Sequence, residues 1–186
     1  MRRSILASLL LITIGLNSCG QPRMHNDLFE ASINAPCTLA SGDRLRVIVF
    51  GQDALTNSYS VDGAGRISMP LIGLVNAQGT TTAALERAIE GRLRNGYLRE
   101  PKVSVEVEAY RPFYVLGEVT TAGQYPFVNG LTIQKAIAIA GGFGPRATKW
   151  TVDVTRVIDG APATATVPLT YPVNPGDTIT VRERFF

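Results

Sequence analysis

The sequence predicts an α+β protein of two small domains that follow an export signal. Three observations lead to this class. Strands with alternating apolar and polar residues recur along the chain, each half contains one amphipathic helix, and a Gly-Asp turn followed by a strand occurs twice. Two units with strands around one helix each account for the chain after residue 37. We divide it into segments 1–18, 19–37, 38–111 and 112–186.

Segment 1–18 has the pattern of a secretory signal. Arg2 and Arg3 precede an apolar run from Ile5 to Leu16, which is shorter than the ~20 residues that a membrane-spanning helix needs. A small residue then precedes Cys19, and this ending resembles the site that is cut by lipoprotein signal peptidase. We expect Cys19 to be the acylated N-terminus of the mature protein. By resemblance to other lipoproteins, Gly20 after it implies sorting to the periplasmic face of the outer membrane.

Charge and cysteine content limit the classes of function. Without Arg2 and Arg3 the chain has 16 basic and 15 acidic residues, so it is nearly neutral and no nucleic-acid partner is expected.

Lipid on Cys19 leaves Cys37 without a partner for an intrachain disulfide, and we interpret Cys37 as a small half-buried apolar residue. Residues 19–37 are polar and non-periodic, which predicts a tether with a short helical turn near Phe29.

Segment 38–111 contains strand patterns at both ends and one helix between them. The predicted strands are Arg44–Phe50 and Lys102–Ala109. The helix begins at Thr80–Thr82 and ends near Arg94, and its buried stripe consists of Leu85, Ile89 and Leu93. Ser60–Ile67 indicates a hairpin with a Gly-rich tip. Pro70, Gly73 and Gly79 indicate an irregular, edge-like passage.

Pro112 interrupts the strand pattern, and we place the domain boundary there. The predicted strands of segment 112–186 are Phe113–Val119, a hairpin of Trp150–Ile158 with Thr164–Leu169, and Thr178–Arg182. A helix is predicted over Leu131–Ala140, with Ile133, Ala136, Ile137 and Ala140 facing inward.

One internal repeat connects the two segments. Leu39–Val47 aligns without gaps on Val173–Val181, and both stretches place apolar residues two and four places after Gly-Asp. The glycine permits the turn, and the aspartate can accept backbone N–H bonds there. We therefore predict structural turns at Gly42, Asp43, Gly176 and Asp177.

These motifs resemble two known modules. Segment Leu39–Ala109 resembles the N-terminal domain of bacterial polysaccharide export lipoproteins, the Wza-like family. The motifs that carry this resemblance are Ser41–Asp43, Val61–Ile67, Met69–Gly73 and Gly79–Thr81. The segment from Phe113 onward resembles the β-grasp module called SLBB, through Val115–Val119, Ala122–Tyr125, Ala140–Gly142 and Pro175–Asp177.

The resemblance implies export of capsular or exopolysaccharide through a homo-oligomeric ring, with an inner-membrane polysaccharide co-polymerase beneath it. Larger relatives add a C-terminal amphipathic helix that lines the outer-membrane pore. This sequence ends at Arg184-Phe185-Phe186, so we expect a periplasmic ring or adaptor that works with a separate outer-membrane β-barrel. Strand edges near Pro70 and beside Phe113 are the surfaces that we expect to join the copies.

The residue inventory argues against an enzyme, a metal site or a cofactor. His25, the only histidine, lies in the tether. Glu106 and Glu108 are two places apart on a strand, about 6.6–7 Å, which is within the range of glycosidase pairs. However, they lie on a polar face, where nothing would keep either acid protonated for catalysis. We expect no enzymatic activity, and a cell-envelope hydrolase using this pair is the weakest of three hypotheses.

The second hypothesis is a periplasmic glycan-binding module that does not transport. Aromatic side chains that could stack on sugars are Tyr110, Phe113, Tyr114, Tyr125, Trp150 and Tyr171. Each lies at or near a predicted strand, so we expect most of them in the core and assign no glycan site.

Overall fold

A computed structural model of the chain describes Phe29, residues 37–158 and residues 160–184. Within these ranges ten strands and two α-helices form, which confirms the predicted α+β class. None of the helices there is long and apolar enough to cross a bilayer. Cys19 and His25 lie outside the described residues.

Residues 38–111 form two small antiparallel sheets and one helix. The elements are β1 (Arg44–Val49), β2 (Asn57–Ser60), β3 (Arg66–Met69), β4 (Gly73–Asn76), α1 (Thr82–Arg94) and β5 (Val103–Ala109), with one 3₁₀ turn at Asp53–Leu55. The first sheet has the order β2-β1-β5, and β3 pairs with β4. Leu45 and Val47 of β1 are fully buried, because alternate side chains of a strand point to the same face.

The turn at Asp62–Gly65 joins strands of different sheets, so the predicted hairpin at Ser60–Ile67 is wrong. Strand β2 pairs with β1, and β3 pairs with β4. The turn itself forms because Asp62 Oδ1 accepts the backbone N–H groups of Ala64 at 2.9 Å and Arg66 at 2.8 Å. A turn motif fixes the bend and leaves open which strands pair.

The predicted irregular passage contains a real hairpin, which is a second correction. In the β3–β4 pair, Met69 lies opposite Gly73, so the connecting loop consists of Pro70, Leu71 and Ile72. Leu71 has φ of +69°, which is uncommon for a residue with a side chain.

Helix α1 follows the prediction closely. Thr81 is its N-cap, and the Thr81 hydroxyl accepts the backbone N–H of Ala84 at 3.3 Å. Leu85, Ile89 and Leu93 are fully buried on the predicted stripe. The helix thereby completes the apolar core between itself and the strands.

Residues 112–184 form a five-stranded mixed sheet with one helix. The elements are β6 (Phe113–Gly117), β7 (Gly123–Tyr125), α2 (Ile133–Ile139), β8 (Thr151–Ile158), β9 (Ala161–Pro168) and β10 (Thr178–Val181). The strand order is β7-β6-β10-β8-β9, with β10 parallel to β6 and antiparallel to β8. The last strand is therefore central, and the sheet is complete only when the end of the chain inserts.

The buried apolar side chains form two separate clusters, one in each of these halves. Phe29, which precedes both halves in sequence, belongs to the second cluster and is only 2% exposed. The chain ahead of the first half therefore contacts the second half.

Two isoleucines of α2, one buried and one exposed, allow the packing of this helix on the sheet to be tested with the same substitution. Ile137 is 2% exposed and Ile139 is 49% exposed. We expect Ile137→Ala to lower the free energy of unfolding by about 2–5 kcal/mol, because it leaves a cavity. Ile139→Ala should change it by less than about 0.5 kcal/mol. Urea denaturation of both variants measures the difference, and equal losses would contradict the orientation of the helix.

Candidate functional site

The two Gly-Asp turns of the internal repeat have the same local geometry. Gly42 has φ of +94° and Gly176 has φ of +85°. Each turn is closed by the aspartate N–H, which donates at 3.1 Å to Ala40 O in the first turn and to Asn174 O in the second. In return, Asp43 Oδ2 accepts Ala40 N–H at 2.9 Å and Asp177 Oδ2 accepts Asn174 N–H at 2.7 Å.

Arg111 lies between these two turns, at the junction of the two halves. Its backbone N–H donates to Asp43 Oδ1 at 2.8 Å, and its Nη1 lies 3.1 Å from Asp43 Oδ2. Its side chain also touches the second turn, because a Cβ added to Gly176 would lie 2.9 Å from Arg111 Nε. Gly176 N–H donates to the carbonyl of the neighbouring Pro112 at 3.1 Å. The Arg111 side chain therefore contacts both turns, Asp43 of the first half and Gly176 of the second.

Asp177 has a second arginine, Arg156 of β8, as its partner. Arg156 Nε donates to Oδ1 at 2.9 Å and Nη2 donates to Oδ2 at 2.7 Å, and both side chains are buried. Burial acts to lower the pKa of Arg156, but the hydrogen bonds and charge of Asp177 outweigh it, so this pKa lies above its ordinary value. The pair is bidentate, which is the geometry that a planar guanidinium favours.

Phe29 and Tyr171 pack on this buried ion pair. The centre of the Arg156 guanidinium lies 5.5 Å from the Phe29 ring centroid and 5.7 Å from that of Tyr171. These distances are typical of cation–π contacts. The Tyr171 hydroxyl donates to the Phe29 carbonyl at 3.0 Å. Sequence analysis placed a helical turn near Phe29 and missed its burial, because one aromatic residue in a polar stretch has no periodicity.

Helix α1 covers the outer edge of β5. Strand β5 pairs with β1 on one side only. On the other side, Val103 N–H donates to Glu90 Oε1 at 3.1 Å and Val105 N–H donates to Glu86 Oε1 at 2.8 Å. The two carboxylates occupy donors that an added strand would otherwise use.

Two prolines remove backbone N–H donors from the free edge of β9. Ile158 pairs with Ala161 where β8 and β9 meet, and by alternation Pro162 and Pro168 occupy positions whose N–H would point away from β8. A free strand would present donors at these positions, and proline has none.

One of the two expected joining edges does not exist. Phe113 lies in β6, which is flanked by β7 and β10, so the prediction of an exposed edge beside it is wrong. The reason is the insertion of β10 from the end of the chain. Near Pro70, by contrast, the β3–β4 hairpin exposes Leu71 by 57% and Leu74 by 46%. This hairpin is an exposed apolar surface.

The remaining candidate residues do not form a catalytic arrangement. Glu106 and Glu108 are both exposed on β5, and Arg46 of β1 lies opposite Glu106. Within the described ranges, no group of three His, Cys, Asp or Glu side chains could hold a metal ion. Cys37 is exposed, so its interpretation as a half-buried apolar residue is wrong.

The candidate aromatic residues divide between core and surface. Phe113 and Tyr171 are buried, and Tyr110 and Tyr125 are half-buried. Burial, with smaller contributions from Cys37 and Asp43, raises the pKa of Tyr110. Tyr114 is exposed, and Trp150 is 85% exposed, so neither lies in the core.

Two family profiles match the chain in the order of its two halves. Residues 31–108 match the polysaccharide biosynthesis/export protein domain, and residues 112–164 match the SLBB domain. The two halves of the fold thus correspond to an export-type domain and an SLBB domain. The chain is thus similar to polysaccharide biosynthesis/export proteins in its first half and to SLBB domains in its second.

Two curated relatives have similar segments. The exopolysaccharide production protein ExoF of Rhizobium meliloti is 37% identical over 91 residues, which is 48% of this chain and 22% of that protein. The EPS I polysaccharide export outer membrane protein EpsA of Ralstonia nicotianae is 31% identical over 108 residues, 56% of this chain and 28% of that protein. The match covers about a quarter of each relative.

The glycines of the two turns can be tested together. We expect Gly42→Val and Gly176→Val each to lower the free energy of unfolding by about 1–3 kcal/mol, because a branched side chain is strained at positive φ. Gly176→Val should cost more, since its Cβ would crowd Arg111 Nε. Gly63→Val is the control, because its surroundings are open. Urea denaturation gives the free energy of unfolding of all three variants. If both turn variants were as stable as Gly63→Val, the turns would have no structural role.

Proposed function

We propose that this chain is a periplasmic and outer-membrane component of a machine that exports capsular polysaccharide or exopolysaccharide, and that it forms part of an oligomeric conduit. The observation that carries this proposal is the succession of an export domain and an SLBB domain on one chain. The names of both relatives, an exopolysaccharide production protein and an export outer membrane protein, support it.

The geometry of the junction supports assembly into a ring. A ring requires head-to-tail contacts that repeat with the same rotation from copy to copy. Two halves that moved freely could not present such a contact reproducibly. Arg111, which pairs with Asp43 in the first half, lies with its side chain against Gly176 of the second half and so links the two turns across the junction.

The β3–β4 hairpin is the contact surface that we favour. It carries exposed Leu71 and Leu74, whereas the β5 edge is occupied by Glu86 and Glu90. A side chain at positive φ costs free energy, and such strain is concentrated at functional positions. In a closed ring Leu71 would be covered by the neighbouring copy. The inner-membrane co-polymerase and a separate outer-membrane barrel complete the proposed machine.

Leu71→Gly separates assembly from folding. Glycine accepts positive φ, so the variant should be at least as stable as the wild type as an isolated chain. Loss of the apolar side chain should weaken or abolish the oligomer, as measured by crosslinking in native membranes and by the mass of the detergent-solubilised complex. The control is Val157→Ala, which trims an exposed apolar residue of β8. An unchanged oligomer in Leu71→Gly would remove the hairpin from the interface.

The export role is tested in a strain that makes surface polysaccharide. Deletion of the gene should stop the appearance of polymer at the surface while lipid-linked precursors remain, because transport and not synthesis is lost. Crosslinking of the native protein should give a ladder that ends at one discrete high oligomer. A protein that stays monomeric during active export would overturn the conduit.

The lipid anchor gives a separate prediction. Cys19→Ser should abolish acylation and move the protein away from the outer-membrane fraction, since stable attachment needs more than one acyl chain. If the Cys19→Ser protein were found in the outer-membrane fraction at the wild-type level, Cys19 would not be the anchor.

A non-transporting glycan-binding module is the second candidate, and exposed aromatic residues favour it. Trp150 and Tyr114 are open to solvent, as rings that stack on sugars must be. A stable monomer with a measurable affinity for the polysaccharide, lost in Trp150→Ala, would support this candidate over the conduit.

A further inference from the structure

We infer that the end of the first domain opposite the junction is a binding surface for a carboxylated polysaccharide. This inference rests on the proposed export function and adds to it the chemical class of the polymer. We call this end the distal surface and define it by four exposed residues, Phe50, Tyr97, Arg99 and Lys102.

Strand pairing places Phe50 and Lys102 far from the junction. The junction lies at the start of β1 and at the end of β5, and these two strands are antiparallel. Val49 and Val103 therefore pair at the opposite end, about 17 Å along the strands. The next residue on each strand belongs to the distal surface, and Phe50 N–H donates to Lys102 O at 3.0 Å.

Helix α1 brings Tyr97 to the same end. The carboxylates of Glu86 and Glu90 accept the N–H groups of Val105 and Val103, so the helix runs alongside β5 toward the start of that strand. Tyr97 follows the last turn of the helix. The loop that joins the helix to β5 therefore forms part of the distal surface.

The exposed apolar side chains of the first domain are concentrated at this end. Phe50 is 63% exposed and Tyr97 is 51% exposed. In the described part of this domain, the other exposed large apolar side chains are Leu71 and Leu74 of the β3–β4 hairpin. Arg92 of the last helical turn donates to Leu74 O, which places the hairpin beside the distal surface. If the hairpin joins the copies of a ring, Phe50 and Tyr97 remain open to solvent.

The charge at this end fits an anionic partner. Four cations and two acids are exposed there: Arg92, Arg94, Arg99, Lys102, Asp53 and Glu100. Among the described residues, no ion pair includes any of these four cations. The helix dipole accounts for cations in the last helical turn, but Arg99 and Lys102 lie beyond the helix. The excess of positive charge disfavours the same surface of a second copy, because like charges would face each other.

A carboxylated sugar polymer fits both features of the distal surface. The rings of Phe50 and Tyr97 can pack on the apolar faces of sugar rings. The groups of Arg99 and Lys102 can bind carboxylates through charge-assisted hydrogen bonds. Exposed ion pairs are individually weak, so a polymer held in this way could still be released.

Three matched polymers test this chemistry by isothermal titration calorimetry of the detergent-solubilised protein. Oligogalacturonate has sugar rings and carboxylates, its methyl ester has the rings without the charge, and polyglutamate has carboxylates without sugar rings. We expect oligogalacturonate to bind, with an affinity that falls as salt is added. The affinities for the other two polymers should be lower by about fivefold or more.

Three results of this titration would overturn the inference. Equal affinity for the methyl ester would show that the cations do not recognise the ligand. Equal affinity for polyglutamate would indicate that the surface fits an acidic protein and not a glycan. Absence of binding by all three polymers would remove the site.

Two pairs of substitutions locate the site. Tyr97→Ala and Lys102→Gln should each lower the affinity for oligogalacturonate about two- to fivefold. Trp150→Ala and Lys149→Gln are the matched controls, because they remove an exposed ring and an exposed cation from the second domain. The controls should leave the affinity unchanged.

Urea denaturation separates loss of binding from loss of folding. All four side chains are exposed, so the free energy of unfolding should match that of the wild type. Losses of affinity that are confined to the control pair, or equal in both pairs, would overturn the assignment to the distal surface.

Gene deletion and crosslinking test the proposed export role independently of this binding. Export through a discrete oligomer by a protein that fails the titrations would overturn the inference and leave the proposed function intact. Binding at the distal surface by a protein without a role in export would remove the proposed function and leave the binding surface.

Discussion

Two buried aspartates, each in a Gly-Asp turn and each paired with an arginine, hold this structure together. An unpaired carboxylate in either position would be strongly unfavourable, since breaking a buried pair costs about 3–5 kcal/mol. Asp177 pairs with Arg156 within the second domain, and Asp43 holds Arg111, whose side chain lies against the second Gly-Asp turn. Phe29 packs on the first of these pairs, and the two turns meet at the arginine of the other.

The sheet edges show how the fold limits unwanted association. Glu86 and Glu90 of α1 accept the outward N–H groups of β5, and prolines replace donors on the free edge of β9. These devices oppose non-specific strand pairing while they leave the apolar β3–β4 hairpin exposed. The ring that we propose would require such suppression, because competing contacts would prevent its closure.

Local patterns predicted most of the elements correctly. The stripe of Leu85, Ile89 and Leu93, the inward residues of α2 and the β8–β9 hairpin follow from periodicity and turn residues within a few positions of each other. The failures concern pairing over distance. The bend at Asp62–Gly65 was recognisable, but its strands pair elsewhere, and the edge beside Phe113 is filled by β10, about 65 residues later.

The sequence by itself determined the α+β class, the succession of an export-type and an SLBB domain, and the residues of the Gly-Asp repeat, because these depend on local composition and spacing. Only the tertiary structure decided that both turns meet at Arg111, that Phe29 packs in the second domain and that Cys37 and Trp150 are exposed. The physical reason is that burial and ion pairing depend on which distant segments become neighbours. A single phenylalanine or arginine has no periodicity from which its partner could be read.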